Sequence, residues 1–385
     1  MARFLFVVPP MTGHINPTQS VAAELVARGH QCAWVGYEAI LSKVLPADAT
    51  LYPLDTGEAS AEFLADIASR AQTLRGLAGL KFLWQDVLVP LGREMAAGVD
   101  DAATAFAADV LVVDQQALAG AFVARRRGLP WATLATTSAD RAASLGDLPE
   151  VLRWTEEQLA DLQREVGLEP VDEPENSPHR VIVFSTAALV GSTDRFPDHH
   201  AFVGPSISHR RQDVEFPVDA LQERPKVLVT LGTLNAERGE KFYAALKDGL
   251  GPLDVQVILV APDEFGPFPD NFLVRDFVPM LSLLPRVDVV VCHAGHNTVC
   301  EALSHGLPLV VAPIKDDQPV VAGQVVDAGV GLRLSFTRPR PAALAEAVTR
   351  VLEEESFRAA ARRVQRSFQE AGGARKAAEL LEDLL

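Results

Sequence analysis

The sequence predicts an α/β protein built from two Rossmann-like halves. Three observations carry this. Phe4 to Val8 is an apolar run followed by a loop, a helical stripe and a second run, Gln31 to Gly36, a β-loop-α-β opening. Lys226 to Thr230 starts the same pattern again, after a stretch with no periodicity. Val287 to Cys292 and Leu307 to Val311 are β-branched runs that read as strands buried on both faces, as in a parallel sheet.

The chain has 385 residues, enough for two or three domains, and 48% of them are hydrophobic, enough for large cores. A net charge of −16 with no basic cluster argues against a nucleic-acid partner. Cys32, Cys292 and Cys300 show no paired spacing, which suits a reducing cytoplasm. The N-terminal apolar run is broken by Pro9 and Pro10 too early for a signal peptide, and no run reaches the ~18 residues of a membrane span.

The first strand is followed by Pro9-Pro10-Met11-Thr12-Gly13-His14-Ile15-Asn16. Asn16 is the expected N-cap of the first helix and Pro17 its first residue, with Val21, Ala22, Leu25 and Val26 on one face and Gly29 ending it. The loop has no G-x-G-x-x-G, so a dinucleotide is a poor guess. It does hold His14 at the carboxyl edge of the expected sheet, where ligands bind in open α/β folds. A base with an unperturbed pKa near 6.5 suits proton abstraction at neutral pH.

Leu80, Leu83, Trp84, Val87, Leu88 and Leu91 are spaced for an amphipathic helix. Asp109 to Asp114 reads as another strand, with a helix from Ala117 to Arg127 that Asp114 could cap. A charged helix around Trp154 to Glu165 and a proline-rich loop follow, and Arg180 to Phe184 is a further strand. His199-His200 lacks other ligands spaced to complete a metal site. Residues 1–205 are expected to form the first domain, 206–224 a linker, 225–365 the second domain and 366–385 a terminal helix.

In the second half, His293 to Thr298 is expected to be a strand-to-helix turn with the chemistry of an anion site. Gly295 permits close backbone approach, Asn297 and Thr298 offer donors beside the first unpaired helical N–H groups, and His293 adds another. Glu301 sits one turn further in and could accept hydrogen bonds from a sugar diol. Asp317 and Gln318 follow the next strand toward the same crevice. The alternative is that Asn297 and Thr298 only cap a helix. Gly232 and Thr233, after the strand Lys226–Thr230, form a second loop able to meet a phosphate.

His293-Ala-Gly295-His-Asn297-Thr298, Glu301, Pro313 and Asp317-Gln318 together resemble the donor-binding signature of GT-B glycosyltransferases. The closest group comprises plant UDP-glycosyltransferases and bacterial natural-product, macrolide-type glycosyltransferases; Gly13-His14-x-Asn16-Pro17 resembles the same family. The resemblance implies a GT-B fold, two Rossmann-like β/α/β domains facing across a deep cleft. It implies an acceptor-binding first domain, a nucleotide-sugar-binding second domain and a terminal helix that packs back on the first. His14 becomes the general base and Asp114 its carboxylate partner. Phe277 would pack on the nucleobase, with backbone beside Val278 reading its edge. Phe82 and Trp84 become candidate acceptor contacts, beside their plainer reading as core. Met280 stands where plant members carry glutamine, so UDP and dTDP both stay open. His296 stands where they carry tryptophan.

The implied reaction is inverting transfer of a hexose from an NDP-sugar to a hydroxyl of a small apolar natural product, as in antibiotic biosynthesis. It implies no cofactor and no metal, because a helix terminus can do the work of a cation and no Asp-x-Asp loop is present at the crevice. Two alternatives stay open: a nucleotide-sugar epimerase of similar fold, and a non-catalytic donor-binding auxiliary protein. Acceptor, sugar and oligomeric state are not specified by the sequence.

Overall fold

In the computed structural model the apolar runs pair into two parallel sheets. The description covers all residues except 55–64, 68, 71–73, 75, 139–147, 208–214 and 233–238. The chain divides into two units. One comprises Met1–Ser185, Asp194–Arg211 and Ala371–Leu385; the other comprises Thr186–Thr193 and Gln212–Glu370.

The first unit holds β1 (Arg3–Val7), β2 (Gln31–Gly36), β3 (Thr50–Pro53), β4 (Val110–Asp114), β5 (Trp131–Ala135), β6 (Arg180–Val183) and β7 (His200–Phe202). They lie in the order β3-β2-β1-β4-β5-β6-β7, every neighbouring pair parallel. The sheet winds outward in both directions from β1, so the β1/β4 boundary is its topological switch point. Every residue of β4 and β5 is buried, because helices cover both faces of such a sheet. Each aliphatic side chain so buried contributes about 1.5–3 kcal/mol.

The second unit holds β8 (Lys226–Thr230), β9 (Gln256–Val260), β10 (Phe272–Arg275), β11 (Val289–Cys292), β12 (Leu309–Val311) and β13 (Gly331–Arg333). Their order, β10-β9-β8-β11-β12-β13, repeats the winding of the first unit, with a switch point between β8 and β11.

The first helix runs Thr12–Ala27, so it begins five residues before the expected Pro17. His14 and Ile15 both donate backbone N–H groups to the Met11 carbonyl, and Met11 takes the N-cap position with no side-chain bond. Gly13 and His14 are therefore in the first helical turn rather than a loop. Pro17 sits inside the helix and cannot donate to the Gly13 carbonyl. Outside bonds hold this segment in place. The Trp34 indole on β2 donates to Thr18 Oγ1 at 2.8 Å, and the Ser206 hydroxyl donates to the Pro17 carbonyl at 2.6 Å.

The expected amphipathic stripe from Leu80 to Leu91 is helical, but Leu83–Leu88 forms a π-helical turn between Gly76–Phe82 and Val89–Phe106. Pro90 supplies the cause: it has no N–H for the carbonyl four residues back, and its ring crowds that carbonyl. The widened turn splits the stripe. Trp84 and Leu88 join a cluster with Leu118, Phe122, Leu159 and Leu162, while Phe82, Val87 and Leu91 pack with β1, β2 and β4 side chains.

Two short pieces belong to units their sequence position would not suggest. Ala187–Val190 packs with the second unit, burying Leu189 among Leu283, Val299 and Val325, and Thr186 accepts a hydrogen bond from the Ser367 hydroxyl at 2.7 Å. The last helix, Gly373–Glu382, packs on Thr12–Ala27 in the first unit. Its Glu382 accepts from Arg28 at 2.8 Å and lies 2.9 Å from His30 Nε2. No helix among the described residues is long and apolar enough to cross a membrane.

Candidate functional site

Each unit gathers its chemistry at its own switch point. In the first, β1 leads into the helix that carries His14, β4 ends in Asp114, and β5 leads into Thr136. Adjacent strand ends therefore bring three polar side chains together in an otherwise apolar layer. His14 Nδ1 lies 2.9 Å from Asp114 Oδ1 and 3.0 Å from Oδ2. The Thr136 hydroxyl donates to Asp114 Oδ2 at 2.6 Å and lies 2.9 Å from His14 Nδ1. The Gln116 backbone N–H donates to Asp114 Oδ1 at 2.9 Å.

Asp114 is 0% exposed, and a buried carboxylate without partners would cost several kcal/mol. Its partners here are the imidazole, a hydroxyl and a backbone amide. Asp114 is not a helix cap: the next helix runs Leu118–Arg127, and its N-cap is Ala117. An imidazole whose Nδ1 faces a carboxylate carries its proton there, which makes Nε2 the basic nitrogen.

In the second unit the turn after β11 opens directly into the helix His296–Ser304, which takes in the second half of the turn expected over His293 to Thr298. Gly295 occupies the N-cap position with no side-chain bond, so Asn297 and Thr298 are residues of the first turn and not its caps. Both are partly exposed. Ala294 takes a positive φ of 64°, a conformation rare for alanine, and this tightens the turn.

The room left by the two glycines is filled by His293. A Cβ on Gly295 would lie 2.5 Å from His293 Nε2, and one on Gly232 would lie 2.7 Å from His293 Cε1. Gly232 also has a φ of +75°, which an L side chain rarely adopts. The imidazole is thus gripped edge-on by two loops from paired strands, β8 and β11. The space beside Gly295 is taken by this histidine. Burial pushes the His293 pKa down to about 4; the Thr230 backbone opposes that shift and the Lys315 ammonium adds to it. His293 is therefore a neutral imidazole at physiological pH.

Glu301 follows one turn into the helix and is 4% exposed. Asp317 and Gln318 lie beyond β12, the strand paired to β11. Asp317 holds the N-cap position of Gln318–Asp327 without capping it through its side chain. Gln318 Oε1 accepts from the backbone N–H groups of Ile314 and Lys315 at 2.9 and 3.1 Å. That fixes the amide orientation and leaves its NH2 as the group able to meet a ligand. Phe277 is 59% exposed, while the neighbouring Val278 is buried in the core. Thr233 lies outside the described residues.

Phe82 and Trp84 are both buried in the first unit's apolar clusters, with Arg70 stacked over the Phe82 ring at 4.7 Å. Little of either ring faces outward. Among the described residues no group of three or more His, Cys, Asp or Glu side chains gathers as a metal site. Thr136 had no signal in the sequence, since a threonine at a strand end is ordinary; only the pairing of β4 with β5 brings it to Asp114.

Residues 244–384 match a family model described as erythromycin biosynthesis protein CIII-like, C-terminal domain. The 4'-demethylrebeccamycin synthase of Lentzea aerocolonigenes is 30% identical, with 100% of both chains covered. The NDP-glycosyltransferase YjiC of Bacillus subtilis is 28% identical over 97% of this chain and 95% of its own. The glycosyltransferase VinC, solved in complex with DTDP, shares the fold with a TM-score of 0.75 at 20% identity, covering 99% of both chains. The two parallel sheets are those of the GT-B fold. The chain belongs to the UDP-glycosyltransferase family and is an NDP-sugar-dependent glycosyltransferase.

Proposed function

We propose that this enzyme transfers a hexose from a UDP- or dTDP-sugar to a hydroxyl of a small apolar natural-product acceptor, with inversion, using His14 as general base. The observation that carries the reading is the buried pair of His14 Nδ1 with Asp114 Oδ1 at 2.9 Å. That pair makes Nε2 the basic nitrogen and stabilises the imidazolium formed when the acceptor hydroxyl gives up its proton. The first unit takes the acceptor and the second takes the donor.

On the donor side, Phe277 stacks on the base, backbone beside Val278 reads its edge, and Glu301 accepts from the ribose. The diphosphate sits at the start of His296–Ser304, where Asn297, Thr298 and the N–H groups of the first helical turn meet it. Thr233 adds a donor from its loop. A neutral His293 packs behind the diphosphate without the cost of burying a charge. Asp317 and the Gln318 NH2 hold sugar hydroxyls. As the acceptor oxygen attacks the anomeric carbon, the bond to the diphosphate breaks on the opposite side, and one in-line displacement inverts the centre. The helix terminus takes the developing charge, so the reaction needs no divalent cation. Three free cysteines suit a cytoplasmic setting for it.

The test is product analysis with a panel of nucleotide sugars and apolar acceptors, with and without chelator. The reading expects a single product anomer, inverted relative to the donor, and turnover unaffected by chelator. A retained configuration contradicts the displacement. A new nucleotide sugar formed from donor alone, with no acceptor, would make the enzyme an epimerase.

A further inference from the structure

Thr136 is placed to hold the carboxylate that faces His14. It follows β5 immediately and is 1% exposed. Its hydroxyl closes a triangle with the carboxylate and the imidazole: 2.6 Å to Asp114 Oδ2 and 2.9 Å to His14 Nδ1, with the Asp114 oxygens 2.9 and 3.0 Å from the same Nδ1. Hydrogen-bond accounting then fixes the protons. A carboxylate can only accept, so the 2.6 Å contact is the threonine donating. With its one proton committed, Thr136 Oγ1 offers Nδ1 a lone pair, as both carboxylate oxygens do. A deprotonated Nδ1 would face three acceptors at hydrogen-bond distance. A protonated one can donate to the carboxylate, whose Oδ1 lies at 2.9 Å.

We propose that Thr136 is a positioning residue that holds the Asp114 carboxylate against His14 and so secures the tautomer with the proton on Nδ1 and Nε2 as the base. The proposal rests on the reading of His14 as the base, and it adds a third member to the pair. One function follows from the hydroxyl. It tethers Asp114 Oδ2, so the carboxylate cannot rotate away from the imidazole. The plainer role, a buried hydroxyl that merely satisfies a strand end, needs only one of these contacts and says nothing about the tautomer.

The experiment compares Thr136→Val, Thr136→Ser and His14→Ala. Valine keeps the shape and removes the hydroxyl; serine keeps the hydroxyl. Loss of a hydrogen bond to a charged group predicts a fall in kcat of about tenfold to a hundredfold in Thr136→Val, with donor KM and nucleotide affinity unchanged. Thr136→Ser should stay within about threefold of the parent kcat, being left with the same donor. In 15N-histidine NMR spectra the parent should show His14 protonated at Nδ1, and Thr136→Val should show a mixture of tautomers. If Thr136→Val does not fold, Thr136→Ala carries the same two readouts. Parent-like turnover with an unchanged His14 signature in the hydroxyl-free variant overturns the proposal, as does a serine variant as slow as valine. His14→Ala separates the two claims. If it retains turnover, the base assignment fails, while the tautomer spectrum still reports whether Thr136 sets the imidazole's proton.

Discussion

The two switch points differ in what surrounds their histidines. Both units wind their sheets in the same order, and both place a histidine just beyond a central strand. In the first unit His14 faces a buried carboxylate and a hydroxyl at 2.9 Å each. In the second unit His293 is wedged between Gly232 and Gly295, with Lys315 as the neighbouring charge, and its pKa is held down to about 4. On the proposed reading one imidazole takes up a proton during the reaction, while the other stays neutral. The topology decides where a ligand can bind; the partners decide whether the histidine moves a proton or keeps its charge.

The comparison breaks most readily at Asp114. Asp114→Asn keeps the shape but can present N–H to Nδ1, so the wrong tautomer becomes favourable; turnover should fall by about 10²–10⁴ with donor affinity intact by calorimetry. A smaller effect of opposite kind is expected at Gly295→Ala. The new Cβ meets His293 Nε2 at 2.5 Å, so the ring must shift, and nucleotide affinity should fall about tenfold or more while the His14 NMR signature stays unchanged.

The neutral state of His293 also predicts a pH dependence of stability. Unfolded, it takes up a proton near the usual 6.5; folded, it resists until about 4. Between those values the unfolded state binds more protons, so stability falls as pH falls, by up to about 3 kcal/mol in all. Above about pH 6.5 this contribution is constant. Denaturant midpoints of His293→Asn against the parent should converge as pH drops from 6.5 to 4. The smallest effect is at the terminal helix. Glu382→Gln weakens exposed contacts to His30 and Arg28, and should cost less than about 1 kcal/mol, read as a shift in Tm that shrinks in high salt.

The strands were legible in the sequence because β-branched and aliphatic runs such as Val289–Cys292 have no other way to bury both faces. The helix starts were not, since neither Met11 nor Gly295 caps with a side chain, and Pro17 looked like a first residue while sitting inside the helix. Local pattern could not reveal that Thr186–Thr193 belongs to the second unit, because only the packing of Leu189 decides it. Of the candidate site, the residue types were legible from the motif around His293–Thr298 and from Gly13-His14. What escaped is relational. That two glycines serve a histidine, and that a threonine 22 positions from Asp114 shares its carboxylate, exists only where adjacent strands meet.

The division of labour between the two histidines is tested most directly by one pairing of measurements on His14→Ala: turnover, and nucleotide affinity by calorimetry. The account predicts a loss of about 10²–10⁴ in kcat with nucleotide Kd unchanged. Turnover at the parent rate, or a Kd that weakens in step with kcat, would contradict it.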